Sequence, residues 1–264
     1  MELRKLGKSD LEVSRIGFGC MSLQPGVDGQ EALLRAAVEL GINFFDTADL
    51  YDKGANEALV GRALKPVREK VIIATKVGNQ WRPDGSGWDW NPRKEYILKA
   101  VNDSLRRLQT DYIDLYQLHG GTMEDPMDET IEAFEELRAA GKIRAYGLSS
   151  IRPPVIQEWL RRSNMDTLMT PYSVLDRRPE AEIMGWLETY QVSMLARGVL
   201  AQGLLVDKPA KEYLGRSAEE VAEIVRRFKE EKGDPVGFVL EKPVVASAVI
   251  GMRKEEHLRL DVRG

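Results

Sequence analysis

Four polar side chains fall where apolar runs should end as strands, and each needs a reason to be there. Asp46 closes the run NFFDTA, Tyr51 follows five residues later, Lys76 lies near the end of VIIATKV, and His119 closes YIDLYQLH. Burying an unpaired charge among apolar strands is costly, so such residues are expected to meet one another. Their chemistry together is proton donation. A phenol with an ordinary pKa of about 10 is a poor acid at neutrality, and a neighbouring ammonium favours its ionised form and lowers that value. Lys76 can supply the ammonium, and Asp46 is the counter-ion that lets a buried lysine keep its proton. His119, one of two histidines in the chain, can hydrogen-bond a substrate oxygen and fix its direction. Such a group would donate a proton to a carbonyl oxygen while something else attacks the carbon.

For the four to meet, the elements that carry them must be neighbours. Short apolar runs alternate with amphipathic stretches eight times along the chain. The predicted strands cover residues 16–20, 43–48, 71–77, 112–119, 143–150, 167–173, 192–197 and 245–250. Several are apolar on both faces, as parallel strands covered by helices should be. The intervening stretches keep a helical period, for example Ile97, Val101, Leu105 and Leu108, and Gly41 and Gly141 read as helix stops. Eight such units in 264 residues predict an α/β fold, a (β/α)8 TIM barrel forming one domain over residues 1–264. The first fifteen residues read instead as a β-hairpin turning at Gly7 to Asp10 and plugging one barrel end. Two long connections, residues 78–92 with Trp81, Trp88 and Trp90, and residues 201–216, follow strand C-termini, where barrels of this kind keep their sites. The tryptophan-rich segment reads either as an aromatic wall over a substrate or as a loop folded back on the outer helices.

Composition narrows the class of function. Apolar residues make up 43% of the chain and charged residues 30%, ordinary values for a soluble protein with a sizeable core. A net charge of −4 offers no basic field for nucleic acid or anionic lipid. One cysteine, Cys20, excludes an internal disulfide. The N-terminal segment lacks the apolar core of a secretory signal, and no apolar run approaches the roughly 20 residues of a membrane span. A cytoplasmic protein is expected, without nucleic-acid or membrane partners; the oligomeric state is open, with a monomer favoured.

The motifs FDTADLY, ATK and LYQLH, in this order and at these strand ends, resemble the signatures of the aldo-keto reductase family, and the resemblance runs from GFGCM to VIGMR. It implies an NADPH-dependent oxidoreductase reducing aldehydes or ketones to alcohols by hydride transfer. Tyr51 would be the general acid, with Lys76 and Asp46 tuning it and His119 orienting the carbonyl substrate. The segment 119–150 together with YSVLDRRPE is similar to bacterial members that act on varied aldehydes.

The chain offers no dinucleotide fingerprint, since GFGCMS lacks the third glycine and the preceding strand unit. The resemblance places the cofactor across the strand ends instead. Gly19, Cys20, Met21 and Asp46 would lie by the nicotinamide ribose, and Ser149 and Ser150 would face the carboxamide. Ser193, Leu195, Arg197, Gly198 and Leu200 would run under the pyrophosphate, with Arg197 meeting a phosphate oxygen. In GMRKEEHL, Gly251 and Met252 would offer backbone N–H groups at a helix start. Arg253 would add a cation for the 2′-phosphate or adenine, and His257 would share that face.

Two positions depart from the family pattern: Met169 stands where many relatives carry a glutamine for the carboxamide, and Val192 where an aromatic would stack on the nicotinamide. The chain also stops at Gly264, soon after the adenosine segment, so an open, undemanding pocket is expected.

Other readings compete. Asp46, Asp49 and Asp52 at three-residue spacing could suggest a divalent metal, but the spacing suits a loop running into a helix, and no metal is expected. Cys20 reads as a small apolar strand residue. A redox-sensing binding protein on the same barrel would keep the same four residues and lack turnover.

Overall fold

The computed structural model describes residues 1–261, with side chains to residue 258. The chain opens with strands β1 (Leu3–Lys5) and β2 (Glu12–Ser14), an antiparallel pair with Arg4 opposite Val13. Eight further strands close a parallel barrel: β3 (Ile16–Gly19), β4 (Phe44–Asp46), β5 (Ile72–Val77), β8 (Ile113–Leu118), β9 (Ile143–Ser149), β10 (Thr167–Pro171), β11 (Ser193–Arg197) and β12 (Val245–Gly251). Each lies beside its chain neighbour, and β12 returns to β3 to complete the ring. Every strand expected from the sequence is present, within one to two residues at each end.

The patterning explains the two layers of the core. β5 and β8 are buried along their whole length, with neither face on water. Residues of one face, such as Phe44, Ile72, Leu115, Met169 and Leu195, fill the barrel interior, and the hairpin adds Leu6, Leu11 and Val13 to the same cluster. The hairpin therefore plugs the N-terminal end of the ring. The other faces, with Ile73, Tyr116 and Met194, pack under the helices.

The helices that bear on the site are α1 (Gln30–Glu39), α2 (Ala55–Leu64), α3 (Lys94–Leu108) and α4 (Met127–Ala139). In α3 the residues Ile97, Ala100, Val101, Ser104 and Leu108 are buried, one stripe at helical spacing. α1 and α4 run out just before Gly41 and Gly141, whose φ values of +90° and +71° are left-handed and suit glycine.

The connection after β5 is not an irregular loop. It forms an antiparallel hairpin of β6 (Asn79–Trp81) and β7 (Trp88–Trp90), with Trp81 opposite Trp88. Its turn is closed by the Arg82 N–H donating to the Gly87 carbonyl at 2.9 Å. The connection after β11 builds a small core of its own, in which Leu204 and Leu205 pack with Leu175 and with Val221 of the helix Ala218–Glu230.

Candidate active site

The four residues singled out by type and position converge at the C-terminal rim of the barrel. Asp46 is the last residue of β4, Lys76 the penultimate residue of β5, and His119 the first beyond β8. The Lys76 Nζ donates to Asp46 Oδ2 at 2.7 Å and to the Thr47 carbonyl at 2.7 Å. Both members of this pair are almost wholly enclosed, at 1% and 6% side-chain exposure. Tyr51 lies on the turn between β4 and α2, its ring centroid 5.2 Å from Lys76 Nζ and 6.0 Å from that of His119.

That turn is unusual. Asp52 and Lys53 both adopt left-handed backbone at φ +50° and +55°, followed by Gly54 at +85°. Non-glycine residues in this region are costly and persist only when their surroundings hold them there. Here Lys53 is tied down: its Nζ donates to the Gly85 carbonyl at 3.1 Å and lies 5.1 Å over the Trp81 ring. The tryptophan hairpin thus braces the turn that presents Tyr51. Its other end is fixed by Trp90, whose Nε1 donates to Asp125 Oδ1 at 2.8 Å while its ring packs on the outer core. Trp90 is thus folded back on the outer helices, as one of the two readings expected, while Trp88 is exposed.

The fields at the rim set the charge state of each group. Burial favours the neutral amine of Lys76, yet Asp46 and Tyr51 together hold its pKa above the ordinary value, so it stays an ammonium. Burial pushes the Asp46 carboxyl up, against the pull of Lys76. For Tyr51 the sequence argument captured only one influence. Lys76 does favour the phenolate, but burial outweighs it and Asp46 adds to the rise, so the phenol holds its proton more firmly than an ordinary tyrosine. His119 is depressed to about 3, first by burial and then by Lys76 and Arg197, and is therefore a neutral imidazole. Its buried Nδ1 has no partner among the described residues. Placing the ring hydrogen on Nε2 leaves Nδ1 as an unused acceptor, a smaller penalty than a buried unused donor, and frees Nε2 to donate.

Other expected site residues take varied places. Gly19 ends β3, Cys20 is buried behind it, and Met21 is exposed at the rim. Ser149 and Ser150 follow one another at the end of β9, both buried, and the Ser149 hydroxyl has no hydrogen-bond partner among the described residues. Arg197, Gly198 and Leu200 leave the end of β11 on the same rim, with Arg197 and Gly198 exposed.

Ser193 and Leu195 are not brought there. Ser193 starts β11 at the opposite end, where its Oγ accepts from the Gly7 N–H at 2.8 Å, and Leu195 is packed in the barrel interior. Val192 precedes β11 in the outer core, so the rim position on this strand belongs to Arg197, not to Val192. Met169 lies inside the barrel beside Ser149 in register.

After β12, Gly251 ends the strand and Met252 is buried. The last helix (Glu255–Asp261) starts only at Glu255, so neither residue offers an N–H at a helix start. Arg253 is exposed, and its backbone N–H donates to His257 Nδ1 at 3.3 Å.

Two groups went unnoticed in the sequence. Gln117, paired in register with Lys76, is fully buried; neither amide atom has a well-formed hydrogen bond among the described residues, but the side chain faces Asp46 and adds to the influences that favour its carboxylate. Behind the rim, Glu57 is fully buried; it accepts from Thr75 Oγ1 and Arg107 Nε, both at 2.6 Å, with Asp49 nearby. Gln117 was findable, as a polar residue between Tyr116 and Leu118 in an apolar run. Glu57 was not, because its partners come from β5 and α3.

A nicotinamide cofactor suits this donor set. Asp46 Oδ1 is buried without a partner and can accept from a ribose hydroxyl, while the Ser149 hydroxyl and the Gln117 amide are open to a carboxamide. Among the described residues no group of three His, Cys, Asp or Glu side chains is arranged to hold a metal ion.

Comparison with known proteins agrees with this geometry. The family model described as the aldo/keto reductase family matches residues 15–263. The oxidoreductase YqkF of Bacillus subtilis is 48% identical over all of this chain and 90% of its own length. The NADH-specific methylglyoxal reductase of Escherichia coli is 33% identical over 79% of this chain and 70% of its own. Among solved structures, the holo form of aldo-keto reductase AKR11C1 from Bacillus halodurans superposes with a TM-score of 0.94 at 48% identity, covering 100% of this chain and 90% of that one. With its closed barrel, its plugging hairpin and its rim of Asp46, Tyr51, Lys76 and His119, this chain belongs to the aldo/keto reductase family of oxidoreductases.

Proposed function

We propose that this protein reduces aldehydes or ketones to alcohols with NADPH, using Tyr51 as the acid. The observation that carries the reading is the buried Lys76–Asp46 pair at 2.7 Å beside a protonated Tyr51 and a neutral His119. A nicotinamide supplies a hydride to the carbonyl carbon when bound, since no side chain can. The protein's own residues do the rest. His119 Nε2 donates a hydrogen bond to the carbonyl oxygen and aims it at Tyr51. Tyr51 gives its proton to that oxygen as negative charge develops there, and the Lys76 ammonium stabilises the phenolate left behind. The high resting pKa of Tyr51 keeps the proton available before substrate arrives.

Binding of the cofactor falls to Asp46, Ser149 and Ser150 at the nicotinamide end, with Gly19, Cys20 and Met21 forming the rim beside it. Arg197, Gly198 and Leu200 flank the middle, and Arg253 serves the adenosine end. The exposed Arg253 guanidinium supports NADPH over NADH. The E. coli relative is named for NADH, so the choice between cofactors turns on local residues such as this one. A small carbonyl compound is the substrate, and the reading includes a cytoplasmic location; no helix among the described residues is long and apolar enough to cross a membrane.

The test is turnover. Protein mixed with NADPH and a reactive aromatic aldehyde should oxidise the cofactor steadily, and Tyr51→Phe should lower that rate by at least about a thousandfold while NADPH still binds. Full activity in Tyr51→Phe would remove the tyrosine from the mechanism. Binding without turnover in the wild type would favour a redox-sensing role.

A further inference from the structure

We infer that Glu57 and Arg107, which lie behind the rim, are positioning residues for the proton transfer: their ion pair holds the turn that carries Tyr51 in place against the strand that carries Lys76. This rests on the tyrosine acid proposed above. Thr75 and Lys76 are consecutive in β5, so their side chains leave opposite faces of the strand. Lys76 reaches the mouth, with its Nζ 5.2 Å from the Tyr51 ring centroid. Thr75 points the other way, and its Oγ1 donates to Glu57 Oε1 at 2.6 Å. Glu57 lies in the first turn of α2, just after Gly54, so this bond fastens the helix that follows Tyr51 to the residue beside Lys76.

The other oxygen of Glu57 is held from α3. Arg107 Nε and Nη2 both lie 2.6 Å from Oε2, and Nη2 also donates to Ser104 Oγ at 3.2 Å. On its way Arg107 crosses the end of the Tyr51 turn: a Cβ added to Gly54 would come within 2.6 Å of Arg107 Cδ and 2.7 Å of its Nε. The missing side chain at Gly54 therefore serves both its left-handed backbone and the passage of the guanidinium. Asp52 and Lys53 just before it are left-handed as well, and such a backbone keeps its shape only against firm support. Arg107 supplies that support from α3, as the tryptophan hairpin does through Lys53.

Glu57 is fully buried, and a charge there is costly unless its partners are fixed. Apolar side chains would fill the same space without that cost, but their contacts carry no direction. Charge-assisted bonds from a guanidinium fix angles as well as distances. A second link acts in the same sense: Asn56 accepts from Thr47 Oγ1 at 2.7 Å and donates to the Cys20 carbonyl at 2.9 Å, and the Thr47 carbonyl is itself a partner of Lys76. A displacement of about 1 Å at a reacting group lowers a rate about a hundredfold, so the joint should be read in the proton step.

Single-turnover oxidation of NADPH by a saturating aromatic aldehyde, in light and in heavy water, tests this in the wild type, Thr75→Val, Thr75→Ser and the double variant Glu57→Gln with Arg107→Met, with NADPH affinity measured alongside. The double variant strands no charge, and Thr75→Val keeps the ion pair and decides alone if the double variant does not fold. In both, the rate should fall about tenfold to a hundredfold with a larger solvent isotope effect, while NADPH affinity is retained. Thr75→Ser, which keeps the hydroxyl, should behave as the wild type. A wild-type rate and isotope effect in either folded variant would overturn the inference. A slowed rate with an unchanged isotope effect would overturn it too, by marking a general loosening of the fold. A wild type that binds NADPH without turnover would defeat the tyrosine acid itself, and this inference with it.

Discussion

The phenol ring of Tyr51 and the imidazole of His119 meet edge to face, their centroids 6.0 Å apart and their planes at 83°. Burial keeps the imidazole neutral in the folded chain, and this ties stability to pH. His119 falls from 6.5 to about 3 in the folded chain, so between those values the unfolded chain binds more protons than the folded one. Its contribution is complete above the unfolded value and is lost as pH falls toward the folded one, with a slope of about 1.4 kcal/mol per pH unit. Urea midpoints at about pH 4 and about pH 7 should differ less in His119→Gln than in the wild type. An identical difference would mean that His119 is not buried neutral.

The rate has its own dependence on pH. Tyr51 is raised above 10 by burial, with Asp46 adding to the rise and Lys76 opposing it. The acid form persists below the raised value and is lost only as pH climbs through it. Reductive kcat/KM should therefore stay level from about pH 6 to about pH 9 and decline at higher pH. A midpoint near neutrality would assign the proton to another group.

Lys76→Met should cost about 3 kcal/mol near pH 8, because it strands the Asp46 carboxylate in a buried site. The loss should shrink toward acid pH as Asp46 takes up a proton. Asp46→Asn combined with Lys76→Met should lose clearly less than the two single losses added, as a double-mutant cycle in denaturant would show. Additive losses would mean that the 2.7 Å contact contributes no coupling.

Gly78 begins the connection to the tryptophan hairpin at φ +124°, and an added Cβ would come within 2.5 Å of the Trp90 ring. Gly78→Ala should destabilise by about 1 to 3 kcal/mol and displace Trp90. Changed tryptophan emission and a raised substrate KM with intact cofactor affinity would mark this; unchanged emission would mean that the hairpin absorbs the methyl.

Much of this architecture was legible because it is written in local pattern. The strands are runs such as VIIATKV, and Asp46, Lys76 and His119 interrupt or end such runs, with Tyr51 just beyond one of them, which is visible without any contact map. The helix-ending glycines could also be read at Gly41 and Gly141. What escaped depends on partners far along the chain. Glu57 is an unremarkable helix glutamate until Thr75 and Arg107 reach it, and only the ring shows that Arg197 opposes Lys76. Ser193 was assigned to the barrel mouth by motif similarity, although a strand over residues 192–197 starts beside it and so puts it at the end away from the C-terminal rim. The β6–β7 hairpin was within reach, since NQW and WDW flank a PDGS turn, yet three tryptophans drew the reading toward a loop.

The ring closes where β12 meets β3, with Gly251 opposite Gly19 and the Ala248 N–H donating to the Arg15 carbonyl at 2.8 Å. During synthesis, the strand made first must therefore wait for the strand made near the end before its outer edge finds a partner. Asp46 and Lys76 emerge early and can pair, whereas the opposite wall with Arg197 arrives more than a hundred residues later. A ribosome-bound chain that has yet to release β12 carries the Asp46–Lys76 half of the mouth with an unpaired edge on β3, which makes a complete mouth a late event in biogenesis and that edge a natural target for chaperones.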